Sequence, residues 1–328
     1  MKNMKCVRVF SVAVLVAGVF SCDRDELFER EQYKTVIAML SEDGYNVFAE
    51  EHELGTAATE TEGCVVASCG GSLATGAAIS INMTEDESLL DRYNVGNYDV
   101  DEGKYAQYLS ADRYVIDNPA NITIPAGERT GRMKIKIRAT GLCPDSTYLI
   151  PLRVNTYSAY EFNPEKSDVL YRVLLKNFYA TQTPTSLFTL YNFRGVRNGA
   201  NIMGNKQVFP VSGTQARIMA GNIDYEAKRD IIKNGSILLD VGNDNKVTIT
   251  PWSKITVRQK NAVDDGPGGT YYDPAPAATT NWDDNYPNIF KVENDGFGKM
   301  YKTFQLQYEY EYQGTTYHMK EELRLEYD

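Results

Sequence analysis

Cys22 is the first residue of the chain whose position suggests a covalent chemistry. It follows a basic N-terminus and an apolar run from Val9 to Phe20, which is typical of a secretory signal peptide and too short to span a bilayer. Val19, Phe20 and Ser21 supply the aliphatic, spacer and small residues that bacterial lipoprotein processing recognises before a cysteine. The sequence therefore predicts a signal peptide over residues 1–21 and a diacylglycerol and palmitate anchor on Cys22.

The alternative is an ordinary signal peptide whose cleavage site happens to lie beside a cysteine, and Val19 makes it the weaker choice. The acidic cluster Asp23-Arg24-Asp25-Glu26 resembles the export signal that carries lipoproteins of Bacteroidetes-type bacteria to the outer face of the outer membrane. We therefore expect residues 22–34 to form a lipidated tether. The body of the protein is then anchored in the outer membrane and exposed at the cell surface.

A second group of residues with recognisable chemistry lies between residues 261 and 289. Proline and glycine break the strand pattern there, and loops of this length are uncommon unless they are functional or disordered. Aromatic side chains offer flat apolar faces with polar edges, which suit the C–H face of a pyranose ring. The glycan-binding candidates are Tyr271, Tyr272, Trp282 and Tyr286. The alternative is that these rings only pin the loop to its domain, whereas Trp252, after Pro251 at a strand end, is expected in a core.

The sequence predicts no enzyme, no cofactor and no metal site. It has no Gly-x-Ser-x-Gly elbow, no phosphate-binding glycine loop and no histidine spacing for zinc, and His52 and His318 are isolated. Paired acids such as Asp264-Asp265 and Asp283-Asp284 are expected in solvated loops, because the chain has 44 Asp and Glu. A formal charge of -10 argues against nucleic-acid binding, which needs clustered Lys and Arg.

Three cysteines remain in the mature body, namely Cys64, Cys69 and Cys143. They cannot all pair, and no Cys-x-x-Cys spacing or neighbouring histidine supports a metal site. Cys64 and Cys69 could close a local disulfide in an oxidising compartment, but small buried apolar positions are the better explanation.

Alternation of apolar and polar residues predicts an almost entirely β body. One helical exception is Glu85 to Asp91, where Thr84 and Glu87 have capping-box spacing. A second is Ile223 to Lys233, a run that could instead form an irregular strand. Gln313-Gly314 predicts a hairpin between two long strands.

The small, polar stretch 180–186 predicts a boundary between domains 35–179 and 187–328. The clearest alternating segments are Ala78 to Met83, Asn121 to Ile124, Met133 to Ile137, Leu152 to Val154, Ile237 to Val241, Lys246 to Thr250, Lys254 to Val257, Phe304 to Tyr312 and Thr316 to Tyr327.

The N-terminal half resembles the surface lipoprotein domain known as domain of unknown function 1735, an immunoglobulin-like sandwich. Its most specific feature is Ile124-Pro125-Ala126-Gly127-Glu128, where proline stops a strand and glycine permits the next turn. Tyr148 to Leu152 and the segment from Glu85 to Asn94 match in the same order. Ser110 departs from the family, which usually has proline there.

From about Leu187 the chain is similar to domain of unknown function 4361, a second β-rich module. Together the resemblances imply an all-β fold, with an N-terminal immunoglobulin-like sandwich followed by a second antiparallel β-sandwich or β-barrel. They also imply a non-catalytic, glycan-binding lipoprotein of a polysaccharide utilisation system, with SusC-like and SusD-like partners. The alternative is a structural or adhesive surface protein that contacts another protein.

Overall fold

The computed structural model describes residues 33–42, 44–116, 120–259 and 282–327. In this part of the chain the strands form two sheets, one ending at residue 176 and the other beginning at residue 189. Each sheet encloses its own hydrophobic core. The protein is therefore an all-β molecule with two domains, as the sequence predicts.

The first domain is built from one mixed sheet of 11 strands that forms a half-barrel around its core. The strands follow the order β10-β1-β3-β8-β7-β4-β9-β11-β2, with β5 beside β9 and β6 beside β8. The strands are β1 Val36–Met39, β2 Val47–Glu53, β3 Thr61–Gly70, β4 Ile79–Glu85, β5 Gln107–Tyr108, β6 Tyr114–Ile116, β7 Asn121–Ile124, β8 Thr130–Ile137, β9 Tyr148–Tyr157, β10 Glu161–Phe162 and β11 Asp168–Lys176.

Two strands show how the sequence pattern creates this core. In β8 every second residue is buried, so Met133, Ile135 and Ile137 enter the core while the lysines between them stay in solvent. In β11 eight consecutive residues are buried, because both faces of the strand are covered. Tyr171 faces the main core, whereas Leu170 packs in a second cluster under helix α1, Ser88–Tyr98.

The predicted helix is present but begins later than its capping pattern indicated. Thr84 is still part of β4, where it pairs with Arg153, so it cannot cap a helix. The N-cap position belongs to Glu87, which forms no capping bond with its side chain. Instead, the backbone N–H of Ser88 donates to the carboxylate of Asp86 at 3.0 Å. The capping-box prediction was wrong because β-sheet pairing outcompeted it at Thr84.

A polar network lies inside the first domain around His52. The ring is fully buried, with Nδ1 2.7 Å from the Thr61 hydroxyl and Nε2 2.8 Å from the Tyr171 hydroxyl. Tyr171 in turn donates to Glu50 at 2.8 Å. A Cβ atom at Gly63 would overlap the Tyr171 hydroxyl, so this glycine makes room for the network. Burial lowers the pKa of His52 to about 4, and Glu50 partly opposes the shift.

The second domain is a nearly closed antiparallel barrel, ordered β16-β15-β14-β13-β12-β20-β19-β17, with β18 beside β19. Helix α2, Arg229–Gly235, lies later than the predicted 223–233 segment and covers only its end. The strands are β12 Thr189–Arg197, β13 Ala200–Pro210, β14 Gln215–Met219, β15 Ser236–Val241, β16 Val247–Pro251, β17 Thr256–Arg258, β18 Ile289–Asn294, β19 Met300–Tyr312 and β20 Thr315–Tyr327.

The β19–β20 hairpin is confirmed at the predicted turn. Gln313 and Gly314 adopt φ values of 50° and 74°, as a two-residue turn between twisted antiparallel strands requires. The Gln259 amide, directly after β17, bridges the seam between β17 and β16. It accepts from the N–H of Ile249 and donates to the carbonyl of Val247 at 3.2 Å. A side chain thus replaces the missing strand pairing.

The barrel interior contains a buried ion pair between Lys206 and Glu321. Lys206 also donates to the carbonyl of Gly221 at 2.6 Å, and its ammonium group lies 4.4 Å from the centroid of the Phe193 ring. The Tyr308 hydroxyl donates to Glu321 at 2.7 Å. Each buried charge therefore has several partners, which a charge removed from water requires.

We expect His52 to make the free energy of unfolding depend on pH. The unfolded chain takes up this proton near pH 6.5 and the folded protein only near pH 4, so acidification through that window favours the unfolded state. A shift of this size corresponds to about 3 kcal/mol. The measurement is urea unfolding of the parent and of His52→Gln at several pH values. A parallel pH dependence in the two proteins would contradict the assignment.

Candidate functional site

A buried ion pair joins the two domains. Asp145 lies in the turn between β8 and β9, and the side chain of Arg217 in β14 is fully inaccessible to solvent. Arg217 Nη2 donates to Asp145 Oδ1 at 2.5 Å and Nη1 donates to Oδ2, a bidentate geometry. The guanidinium carbon lies 4.2 Å from the ring centroid of Phe209 and 5.3 Å from that of Trp252. A cation held by an acid and two rings fixes β14 against the first domain.

Two buried amides extend this junction. The Asn177 side chain donates to the backbone oxygens of Ser212 at 2.7 Å and Gln215 at 2.8 Å. The Gln182 side chain donates to the carbonyl of Pro144 at 3.0 Å. These residues lie on the segment between the sheets, so the segment itself is bonded to both domains.

A cleft of about 460 Å³ opens beside the ion pair and has walls from both domains. This volume lies within the range of small-ligand sites. We call it the interdomain cleft. It is lined by Tyr98, Gly103, Lys104, Tyr105, Gln107, Cys143, Asp145, Ser146, Thr147, Leu187, Tyr225, Ala227, Arg229, Ile232, Lys233 and Trp252.

Four half-buried aromatic rings contribute to the cleft, two from each domain. Tyr98 and Tyr105 have ring centroids 6.4 Å apart and an interplanar angle of 35°. Tyr225 donates its hydroxyl to Asp145 at 3.2 Å. Burial, followed by the nearby Asp145 charge, raises the pKa of Tyr225, so the hydroxyl remains a donor at neutral pH. Flat rings combined with fixed polar groups suit a ligand that has apolar faces and hydroxyl edges.

Local structure explains why these rings remain accessible. Tyr98 is the last residue of α1, and Asp99 after it has a positive φ of 49° that ends the helix. Tyr105 is oriented by donating its hydroxyl to the carbonyl of Asp99 at 2.6 Å. Trp252 directly follows β16. The prediction that Trp252 belongs to a core was wrong, because the ring is half-buried over Arg217 and lines the cleft.

The residues predicted to bind glycan are only partly within the described chain. Tyr271 and Tyr272 lie outside the described residues, as does Cys22. Trp282 is half-buried, with its ring 5.6 Å from His318 in an edge-on arrangement, and Tyr286 is also half-buried. The predicted four-ring platform therefore stays a prediction.

Acidic residues beside Trp282 are held in structural bonds. The Asp283 carboxylate accepts from Lys320 at 2.7 Å and from the Asn285 amide at 2.9 Å. These bonds, the Lys320 hydrogen bond above all, lower the pKa of Asp283. Asp283 is thus a fixed part of the loop that leads into β18.

Cys64, Cys69 and Cys143 form no disulfide bond with one another. Cys64 and Cys69 both lie in β3, and their odd spacing places their side chains on opposite faces of the strand. Burial raises the pKa of Cys64 and of Cys143, which disfavours the reactive thiolate. In the described ranges, no group of three or more His, Cys, Asp or Glu residues is placed to hold a metal ion.

Within the described residues, neither helix has the length and apolar character needed to cross a bilayer.

The fold and the cleft define this chain as a two-domain β protein whose domains meet at a ligand-sized hollow. Residues 32–161 match a family model for an N-terminal domain, and residues 167–324 match a family model for a C-terminal domain. The two matches account for most of the chain. The chain is therefore similar to proteins that join these two domains in this order.

Several solved structures share the fold over nearly the whole chain. A Bacteroides ovatus protein of unknown function has a TM-score of 0.62 and 12% identity, covering 89% of this chain and 94% of its own. A multidomain protein of the same organism that includes domain of unknown function 1735 has a TM-score of 0.60 and 12% identity, covering 90% and 95%. An auxiliary nutrient binding protein from Bacteroides thetaiotaomicron has a TM-score of 0.52 and 15% identity, covering 85% and 90%.

At these identities the likeness establishes the fold alone. No curated protein matches the sequence at a significant level.

We expect the Asp145–Arg217 pair to control the stability of the domain junction. Asp145→Asn or Arg217→Met alone should cost about 3–5 kcal/mol, because each leaves a desolvated group without its counter-charge. The double variant should cost less than the sum of the two single changes. Calorimetric unfolding of all four proteins measures this coupling. The exposed pair Lys134–Glu62 is the control, and Glu62→Gln should cost no more than about 1 kcal/mol. Additive effects at Asp145 and Arg217 would contradict the role assigned to the pair.

Proposed function

We propose that this protein is a non-catalytic, lipid-anchored glycan-binding protein of the bacterial surface, and that the interdomain cleft is its binding site. The observation that carries the proposal is the set of four half-buried rings around the cleft. A pyranose presents an apolar C–H face to such rings, and its hydroxyls can bond to polar groups along the edge. Gln107, Ser146 and Thr147 supply such groups.

Two further observations support a carbohydrate ligand. The structural neighbour from Bacteroides thetaiotaomicron is described as an auxiliary nutrient binding protein and has the same two-domain fold. The N-terminal half resembles a domain found beside SusC-like and SusD-like proteins. We therefore propose that this protein captures glycan next to such a transporter at the outer membrane.

The non-catalytic assignment rests on how the acid in the cleft is used. Asp145 is the one carboxylate among the described lining residues, and it is bonded to Arg217 and Tyr225. Hydrolysis of a glycoside normally uses two carboxyl groups on opposite sides of the scissile bond. A cleft whose one carboxylate is already bonded to Arg217 and Tyr225 is better suited to binding a sugar than to cleaving it.

Contact with another protein is the second candidate function. Phe297, in the turn between β18 and β19, is 93% exposed, and Met203 in β13 is 83% exposed. These exposed apolar side chains are the positions at which such a partner would make contact.

We expect removal of single rings in the cleft to abolish weak glycan binding. A glycan array on the body from Asp23 onward first identifies a ligand. Tyr105→Ala and Trp252→Ala should then each lower its affinity about ten- to hundredfold in titration calorimetry. Tyr33→Ala, which removes an exposed ring outside the cleft, is the control and should bind like the parent.

The same titration distinguishes the cleft from the segment predicted at 261–289. If Trp282→Ala and Tyr272→Ala lose binding while Tyr105→Ala does not, the site moves to that segment. If no glycan binds the parent, the protein-contact function takes precedence.

The lipid anchor is tested separately at Cys22. Cys22→Ala should eliminate incorporation of radiolabelled palmitate in cells and release the protein from the membrane fraction, because the thiol is the acceptor for the diacylglycerol. Cys143→Ala, which removes an exposed thiol of the folded body, should leave labelling intact. Palmitate incorporation that persists in Cys22→Ala would show that another residue is acylated or that the processing site differs.

A further inference from the structure

We propose that the interdomain cleft recognises acidic saccharides, by pairing Arg229 and Lys233 with a carboxylate or sulfate group on the sugar. This inference rests on the proposed glycan-binding function and names the substrate class of the same site. It rests on the net positive charge of the residues that line the cleft, which is opposite in sign to the net charge of the protein.

The protein carries a formal charge of -10, so its surface in general repels anions. The described lining of the cleft reverses this balance. It contains three cations, Lys104, Arg229 and Lys233, and one acid, Asp145. A local excess of positive charge in an acidic protein attracts an anionic ligand to that position.

Two of these four charges are already neutralised by partners. Asp145 forms the bidentate pair with Arg217, which is wholly buried. Lys104 lies 2.8 Å from the carboxylate of Asp101. Together the two pairs leave the excess unchanged, because Arg217 adds one positive charge and Asp101 adds one negative charge.

Arg229 and Lys233 are the charges left for a ligand. They lie four residues apart in α2 and both line the cleft, so they share one face of the helix. Across the described chain, neither forms an ion pair with an acid. Two like charges at this spacing mildly destabilise a helix, and an anion bound between them would remove that cost.

The acids nearest in sequence lie elsewhere. Asp230 lines a separate hollow with Ile231 and Asn234, and Glu226 is paired with Lys228 at 2.6 Å. Asp224 lines a third hollow, beside Lys206. The cationic face of α2 is therefore directed into the interdomain cleft.

The chemistry of an acidic sugar matches this arrangement. A uronic acid or a sulfated hexose retains a C–H face for stacking on Tyr98, Tyr105 or Trp252, and it adds an anionic group at the ring edge. A guanidinium binds carboxylate or sulfate oxygens through a planar pair of donors, and a lysine adds a mobile point charge. Rings and cations on facing walls can contact one sugar residue at the same time.

The test uses matched acidic and neutral saccharides on the folded body of the protein. The probes are oligogalacturonate with its carboxyl-reduced form, oligoglucuronate with its reduced form, and chondroitin sulfate and heparin oligosaccharides. Each sulfated probe is paired with a desulfated form, which keeps its carboxylates, and with a neutral form that is both desulfated and carboxyl-reduced. We expect at least one acidic probe to bind about tenfold or more tightly than its neutral counterpart, with affinity falling as salt rises. Loss of affinity on carboxyl reduction identifies the carboxylate as the recognised group, and loss on desulfation alone identifies the sulfate.

The variant Arg229→Gln/Lys233→Gln removes both charges and keeps good helix formers. It should lower the affinity for the acidic probe about tenfold or more and leave any neutral binding unchanged. The matched control is Lys228→Gln/Lys246→Gln, which removes two charges that do not line the cleft. Circular dichroism and thermal unfolding establish that both variants fold.

The outcomes separate this inference from the proposed function. The charge inference is wrong if neutral saccharides bind as well as acidic ones and if binding is lost in Tyr105→Ala but kept in Arg229→Gln/Lys233→Gln. That result would still support glycan binding in the cleft. Equal loss in the cleft variant and in its control would also overturn the charge inference, because the effect would then be one of net charge. If no saccharide in the array or among these probes binds the parent, both proposals are wrong.

Discussion

The contact between Arg217 and Asp145 is the constraint on which the arrangement of the molecule depends. A guanidinium with no solvent access needs a counter-charge, and the second domain obtains that charge from a turn of the first. The relative position of the domains is therefore set by a bond with two parallel donors rather than by the linking segment alone. Asn177 and Gln182 then bond the linking segment into the same junction.

The cleft lies beside that contact, and residues that form the contact also form its walls. The turn that carries Asp145 also carries Cys143, Ser146 and Thr147, which form part of one wall. Trp252 supplies the other side, and its ring also covers the guanidinium of Arg217. Structural and ligand-facing roles are thus shared by the same side chains, so the geometry of the site follows from domain packing.

Local patterns predicted much of the fold, and longer-range contacts limited what could be predicted of the site. The alternation in β8 and the Gln313-Gly314 turn are properties of adjacent residues, and both were correct. Thr84 failed as a cap because a strand far along the chain pairs with it. Asp145 and Arg217 are separated by a whole domain boundary and carry no local signature. The tyrosines of the cleft are scattered in the same way, although the abundance of tyrosine, 23 in the chain, was visible.

The strand order of the first domain also determines how it transmits mechanical tension. The chain enters this domain at β1 and leaves it at β11. β11 is hydrogen-bonded on both sides, to β9 and along seven residues of β2, whereas β1 is a four-residue strand between β3 and the two-residue β10. A pull between the polypeptide before Val36 and a load held by the second domain acts equally on β1 and β11, and β1 has fewer paired residues to resist it. Under force, this strand would detach first, lengthening the tether while the barrel and the cleft remained intact.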